Sequence, residues 1–190
     1  MSQQPTAQDP HRPGQAQVVV AGIGNTLRRD DGAGPVVAER VAATLPNLAP
    51  CPVSSAIALR EPLDLLGWWD GADLAIVVDA ASSGAAPGTV TLTWAEELDV
   101  AGQPPSTHGL SVLEVYRLAA SLGDAPERLA LVGIEGGDFS HGEGFSEPVG
   151  AALDRALELV LDIAAHAGPP VDGFSSSPAG GTGRQLPLTS

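Results

Sequence analysis

The side chains able to do chemistry in this sequence stand at the ends of short apolar runs. Asp30 and Asp31 close the string Gly22-Ile-Gly24-Asn25-Thr-Leu27-Arg-Arg-Asp30-Asp31-Gly32-Ala-Gly34, which follows Val18, Val19, Val20 and Ala21. Asp79 follows Leu74, Ala75, Ile76, Val77 and Val78. His108 stands in Ser106-Thr-His108-Gly109, ahead of an amphipathic stretch, and Glu135, Asp138 and His141 follow the run from Leu129 to Ile134. Two carboxylates and one imidazole, here Asp31, Asp79 and His108, make a ligand set for a borderline divalent ion such as Ni²⁺ or Zn²⁺, with coordination positions left open. A neighbouring carboxylate, Asp30 or Asp79, supplies a general base.

Each of these residues also has a plainer role open to it. Asp30 and Asp31 at a helix start complement the helix dipole. Asp79 before Ala-Ser-Ser-Gly suits a turn or a cap. His108 at a helix start would be satisfied by a backbone carbonyl, and the dipole there disfavours imidazolium, leaving the neutral ring that binds metals. His141, in Phe139-Ser-His141-Gly-Glu-Gly144, is a second-rank ligand on a loop expected to be mobile. His11 and His166 are expected in solvent. Asn25 either braces the turn or donates to a bound peptide.

Covalent chemistry has less to draw on. Cys51 is the only cysteine, lies in Ala-Pro-Cys51-Pro, and has no histidine partner in the pattern. All nine bases are arginine, so Schiff-base and P-loop lysines are excluded.

The elements that must carry these residues alternate. Val18–Ala21, Val53–Ala58, Leu74–Val78, Thr89–Thr93 and Leu129–Ile134 read as strands, the first, third and fifth apolar on both faces. Gly32–Leu45, Pro62–Trp69, His108–Leu122 and Pro148–Ala167 read as helices. Alternation of this kind predicts an α/β domain: a twisted, mostly parallel sheet of about five strands with helices on both faces. Ligands of such sheets bind outside the carboxyl ends of the strands, where the residues named above collect.

The chain has 190 residues and a formal net charge of −14. Residues 1–16 and the Pro/Gly/Ser-rich residues 168–190 are expected to be disordered tails, and 17–167 the folded domain. Each tail carries one acid and one arginine, so the whole excess of negative charge belongs to the domain. A net anion has no general affinity for nucleic acid or anionic lipid. No secretory signal is expected at the N-terminus, and no apolar run approaches the roughly 18–20 residues that span a bilayer. A reducing cytoplasm suits a lone cysteine.

The first glycine loop invites comparison with a dinucleotide fingerprint. The third glycine of that motif would fall on Leu27, and a pyrophosphate would meet Asp30 and Asp31.

The same string, from Gly22 to Gly34, resembles the opening signature of the nickel–iron (NiFe) hydrogenase maturation endopeptidases. The resemblance continues through Ile76-Val-Val-Asp79-Ala80, Pro87-Gly88, Ser106-Thr-His108-Gly-Leu110 and Leu131-Val-Gly133-Ile-Glu135, over roughly residues 17–165. It implies a three-layer α/β/α sandwich. It also implies an endopeptidase that removes a C-terminal extension from a hydrogenase large-subunit precursor after nickel insertion, sensing the bound nickel. The implied ligands are Asp31, Asp79 and His108. The first is Glu in some members, so the carboxylate here is shorter. The metal would be the precursor's Ni²⁺, with Zn²⁺ or another divalent ion as a surrogate, and catalysis would rest on Asp31 and Asp79 with Asp30 as a further base. The implied protein is a cytoplasmic monomer whose partner is the nickel-loaded precursor, with no nucleic acid and no membrane. Two other functions stay open on the residues alone: a nucleotide- or dinucleotide-binding α/β enzyme, and a non-catalytic metal-binding maturation partner.

Overall fold

The computed structural model describes residues 16–47, 53–98 and 111–167. The expected tails, apart from Ala16, fall outside these residues, as do His11, Cys51 and His108.

Five strands form one sheet: β1 (Val18–Ile23), β2 (Val53–Leu59), β3 (Leu74–Ala81), β4 (Val90–Trp94) and β5 (Arg128–Glu135), in the order β2-β1-β3-β5-β4. β1 runs parallel to β2 and β3, and β3 parallel to β5. β4 lies antiparallel on β5, pairing Val90 with Ile134 and Trp94 with Ala130. Helices α1 (Ala33–Thr44), α2 (Ala95–Leu98), α3 (Val112–Leu122) and α4 (Glu147–Ala165) connect and cover them.

The period of two along each strand sorts the core into two halves. Val18, Val20, Leu74, Ile76, Val132 and Ile134 pack against α1 and α4. Val19, Ala21, Ala75, Val77 and Leu129 pack against Val112, Val115 and Ala119 of α3, with Leu65 and Trp69 beside them. Trp69 is fully buried and meets Tyr116 of α3 edge to face, ring centroids 6.2 Å apart. The layers are therefore helix, sheet and helix.

Three boundaries differ from expectation. β3 runs through Asp79 to Ala81, because Asp79, Ala80 and Ala81 keep pairing with Gly133, Ile134 and Glu135; backbone pairing continues past the point where the apolar run stops. α3 starts at Val112 rather than at His108. Ser111 is its N-cap, closing a capping box with Glu114. The stretch from Pro62 to Trp69 holds one 3-10 turn, Pro62–Leu65, and then irregular turns. Leu65, Leu66 and Trp69 are apolar plugs over the sheet, which periodicity alone cannot tell from a helix face.

The chain leaves β1 through α1 to reach β2 on one side, then returns to lay β3 on the other side of β1. This makes β1 and β3 the switch point, where the two crossovers diverge and a crevice opens. Gly22 and Gly34 let α1 start hard against these strands. A Cβ on Gly22 would stand 1.9 Å from the Gly34 carbonyl oxygen, and one on Gly34 would stand 2.4 Å from the carbonyl oxygens of Ile23 and Val78. Of the two glycines that suggested a nucleotide fingerprint, Gly22 serves helix–sheet packing.

Candidate active site

The turn leaving β1 is built by Gly24 and Asn25. Gly24 has φ 140°, and a Cβ there would meet the Asp31 carbonyl oxygen at 1.9 Å. Asn25 Oδ1 accepts the Leu27 N–H at 3.0 Å, while the Asn25 N–H donates to Asp31 Oδ2 at 3.1 Å. Of the two roles open to Asn25, bracing the turn is thus present. The same turn fixes the Asp31 carboxylate, half-buried in a 3-10 turn over Arg29–Gly32.

Asp79 reaches the same place from the carboxyl end of β3, on the face covered by α3. Burial pushes its carboxyl up. The Ala80 N–H opposes that and the negative charge of Asp31 adds to it, so the pKa is raised to about 7. The structure therefore brings together Asp31 and Asp79, one from each strand of the switch point.

Asp30 points the other way. It is fully buried. Its Oδ2 accepts the N–H groups of Gly137 and Asp138 and the Ser146 hydroxyl, all at 2.8 Å, and its Oδ1 accepts the Ser146 N–H at 2.7 Å. Burial alone would raise its pKa, but the hydrogen bonds from Ser146, Gly137 and Asp138 outweigh that and hold it below the ordinary aspartate value. A carboxylate so occupied is a weak base, and the expectation of Asp30 as general base has no geometric support. Its place is structural: it ties the residues after β5 to the turn after β1.

The tie has a backbone counterpart. Arg28 and Gly142 form a parallel bridge, with Arg29 N–H on the Gly142 oxygen at 3.0 Å and Gly142 N–H on the Leu27 oxygen at 2.9 Å. The Arg28 guanidinium donates to the Phe139 carbonyl at 3.2 and 3.3 Å, and Arg29 lies 3.3 Å from Asp138. The loop carrying His141 is therefore pinned rather than free, with the imidazole exposed on its outer side. His166, beyond α4, is exposed as expected and contacts Asp162.

Glu135 is a second buried carboxylate whose role the sequence did not reveal. It accepts the N–H groups of Ser83 and Gly84 and the Ser83 hydroxyl, each at 2.8 Å. The Ser83 hydroxyl above all, then the backbone donors, outweigh burial and keep it ionised. It holds the loop that follows Asp79, as Asp30 holds the loop opposite Asp31. The signal was present in Ser82-Ser83-Gly84 and Glu135-Gly136-Gly137, small residues whose N–H groups are free to converge on a carboxylate.

Among the described residues no group of three His, Cys, Asp or Glu side chains is placed to hold a metal ion. The pair Asp31 and Asp79 supplies two ligands; His108, the expected third, lies outside those residues. Likewise among the described residues, no helix is long and apolar enough to cross a membrane.

A model of the hydrogenase maturation proteases matches residues 61–163, more than half of the chain. The chain belongs to the hydrogenase maturation protease family. The protease is 30% identical over 154 residues to the hydrogenase expression/formation protein HoxM of Azotobacter vinelandii, covering 80% of this chain and 73% of that one. It is 29% identical over 147 residues to the hydrogenase 2 maturation protease of Escherichia coli, covering 76% and 88%. Its fold is similar to that of the E. coli hydrogenase maturating endopeptidase HybD, with a TM-score of 0.67 and 27% identity over 80% of this chain and 94% of that one. A NiFe hydrogenase maturation protease from Thermococcus kodakarensis KOD1 gives a TM-score of 0.63 at 27% identity, covering 80% and 95%. The protein is thus a protease of α/β architecture acting in hydrogenase maturation, and the expected family and fold class hold.

Proposed function

We propose that the protease cuts a C-terminal extension from the large-subunit precursor of a nickel–iron hydrogenase once nickel has been inserted, and that it recognises that nickel directly. The observation that carries this reading is the pairing of Asp31 with Asp79 at the switch point. Burial raises the Asp79 pKa to about 7 and the negative charge of Asp31 adds to it, so the pair is a site that a cation relieves. His108 completes the set: it precedes the Ser111 cap of α3 by three residues, and α3 covers the face on which Asp79 lies.

The nickel belongs to the precursor; Asp31, Asp79 and His108 would hold it, and it would supply Lewis-acid chemistry at the scissile carbonyl or at a water. Zn²⁺ or another divalent ion is a surrogate. Asp31 is held by the Asn25 N–H in an orientation that needs no rearrangement when the precursor docks. With one Asp79 oxygen on the nickel, its other oxygen takes a proton from the attacking water and returns it to the departing amine. Asp30, with its lone pairs filled, keeps the loop over Asp31 in place. The protease works as a cytoplasmic monomer.

Purified protease incubated with nickel-loaded and nickel-free precursor tests this. Mass spectrometry is expected to find a shortened large subunit only in the loaded sample. Equal cleavage of both would remove nickel recognition, and cleavage of neither by folded protein would remove the endopeptidase reading.

A further inference from the structure

A cleft at the carboxyl ends of β1 and β2 has no part in the mechanism above. It encloses about 160 Å³, and its walls include Gly24, Asn25, Thr26, Glu39, Leu59 and Arg60. Small-molecule sites usually run to about 300–1,000 Å³. This volume is small for a free cofactor. The cleft adjoins the carboxylate pair, because Asn25 forms one wall and also donates its N–H to Asp31.

Its polar side chains are Asn25, Thr26, Glu39 and Arg60, so donors stand beside one carboxylate. Asn25 Oδ1 is taken by the Leu27 N–H, which leaves the Nδ2 hydrogens as what this side chain offers. Among the described residues Arg60, like Arg155 on α4, forms no ion pair, whereas Arg28 is engaged by Phe139, Arg29 by Asp138, Arg40 by Asp154 and Arg128 by the Trp94 ring; of the two, Arg60 lines the cleft. In a chain with a net charge of −14, an uncommitted guanidinium on a cleft beside the site stands out.

Two exposed leucines adjoin these groups in the chain. Leu27, 56% exposed, follows the cleft residues Asn25 and Thr26, although its backbone is held at both N–H and carbonyl. Leu63, 48% exposed, stands three residues after Arg60 on the 3-10 turn. A lone exposed leucine needs no explanation. Near donors that match main-chain carbonyl oxygens, two exposed leucines suit an apolar side chain of a bound peptide.

We infer that this cleft seats the precursor's chain next to the scissile bond, Asn25 and Arg60 donating to its main-chain carbonyl oxygens and Leu27 with Leu63 gripping an apolar side chain. The inference rests on the protease reading above. It makes Arg60 and Leu27 determinants of substrate grip that leave the chemical step alone.

Steady-state cleavage of nickel-loaded precursor by Arg60→Ala and Leu27→Ser tests it. Each is expected to raise KM about tenfold with kcat within about twofold of wild type, and Arg60→Lys to recover part of the loss. Arg155→Ala, an exposed arginine on α4, removes the same charge at a distance and is expected to leave KM unchanged. Circular dichroism and thermal unfolding monitor the fold, and Arg60→Gln serves as a second variant at that position. Wild-type cleavage with an unchanged KM in both Arg60→Ala and Leu27→Ser would overturn the inference, as would a fall in kcat alone or an equal rise in Arg155→Ala. Failure of wild type to cleave would instead strike the protease reading.

Discussion

At the scale of the residue, three adjacent roles are divided among three carboxylates by their surroundings. Asp31 is half-open and held by one backbone N–H, Asp79 is crowded and proton-binding, and Asp30 is sealed under four donors. Replacement of Asp31, Asp79 or His108 by alanine is expected to abolish precursor processing in folded protein; full processing by His108→Ala would remove that residue from the ligand set. Asp79 also leaves a mark on stability. Its folded pKa of about 7 lies above the unfolded aspartate value, so the native state binds the extra proton and stability falls as pH rises between about 4 and 7. Asp79→Asn removes that loss. Its advantage in thermal unfolding over wild type is expected to be small at pH 4, to grow up to pH 7 and to level off above; a constant difference across that range would contradict the raised pKa. The position of Asp79 near a strand end was legible in sequence, because an apolar run that stops at a carboxylate marks the edge of a sheet, and Asp31 was legible as part of the loop that follows β1. The division of labour between Asp30 and Asp31 was not. Neighbours in sequence on a 3-10 turn face opposite ways, and only the donors from Gly137, Asp138 and Ser146, more than a hundred residues on, decide which one is sealed.

At the scale of the element, the site stands on two loops that fasten to each other. The turn after β1 and the segment after β5 share the Arg28–Gly142 bridge and the Asp30 carboxylate. Asp30→Ala strands three backbone N–H groups and a hydroxyl, and is expected to destabilise the domain by about 3 kcal/mol or more, read from the denaturant midpoint. Ser146→Ala removes one hydroxyl donor and is expected to cost about 1 kcal/mol. Equal losses in the two variants would mean that the carboxylate is not the hub. Strand identity and order along the chain followed from period-two patterning and apolar runs. Where the elements end did not. β3 outlasts its apolar residues because pairing with β5 is a backbone matter, and α3 begins at a cap rather than at the first candidate ligand. The stretch from Pro62 to Trp69 looked helical because plugs and helix faces share apolar spacing over so short a run.

At the scale of the whole molecule, one sheet sandwiched between helices carries an excess of negative charge that the tails do not share. Protein lacking residues 1–16 and 169–190 is expected to keep processing within about twofold of the full chain, checked with the same precursor. A large loss would mean that a tail docks the substrate. The crossing of the chain over β1 was implicit in the alternation of strands and helices, and with it the crevice between β1 and β3. The register and the antiparallel set of β4 needed the pairing itself.

The Asp30 tie has a kinetic consequence as well. Its donors are amides of irregular backbone, which ordinarily trade their hydrogens with water within seconds of exposure. Here three of them, on Gly137, Asp138 and Ser146, end on one sealed carboxylate. Displacement of that carboxylate releases all three at once. The three are expected to exchange deuterium slowly and at one shared rate, like a short length of sheet, although they belong to none. A loop that breathes in this way, all together or not at all, gives the precursor a rim that is already formed when it arrives.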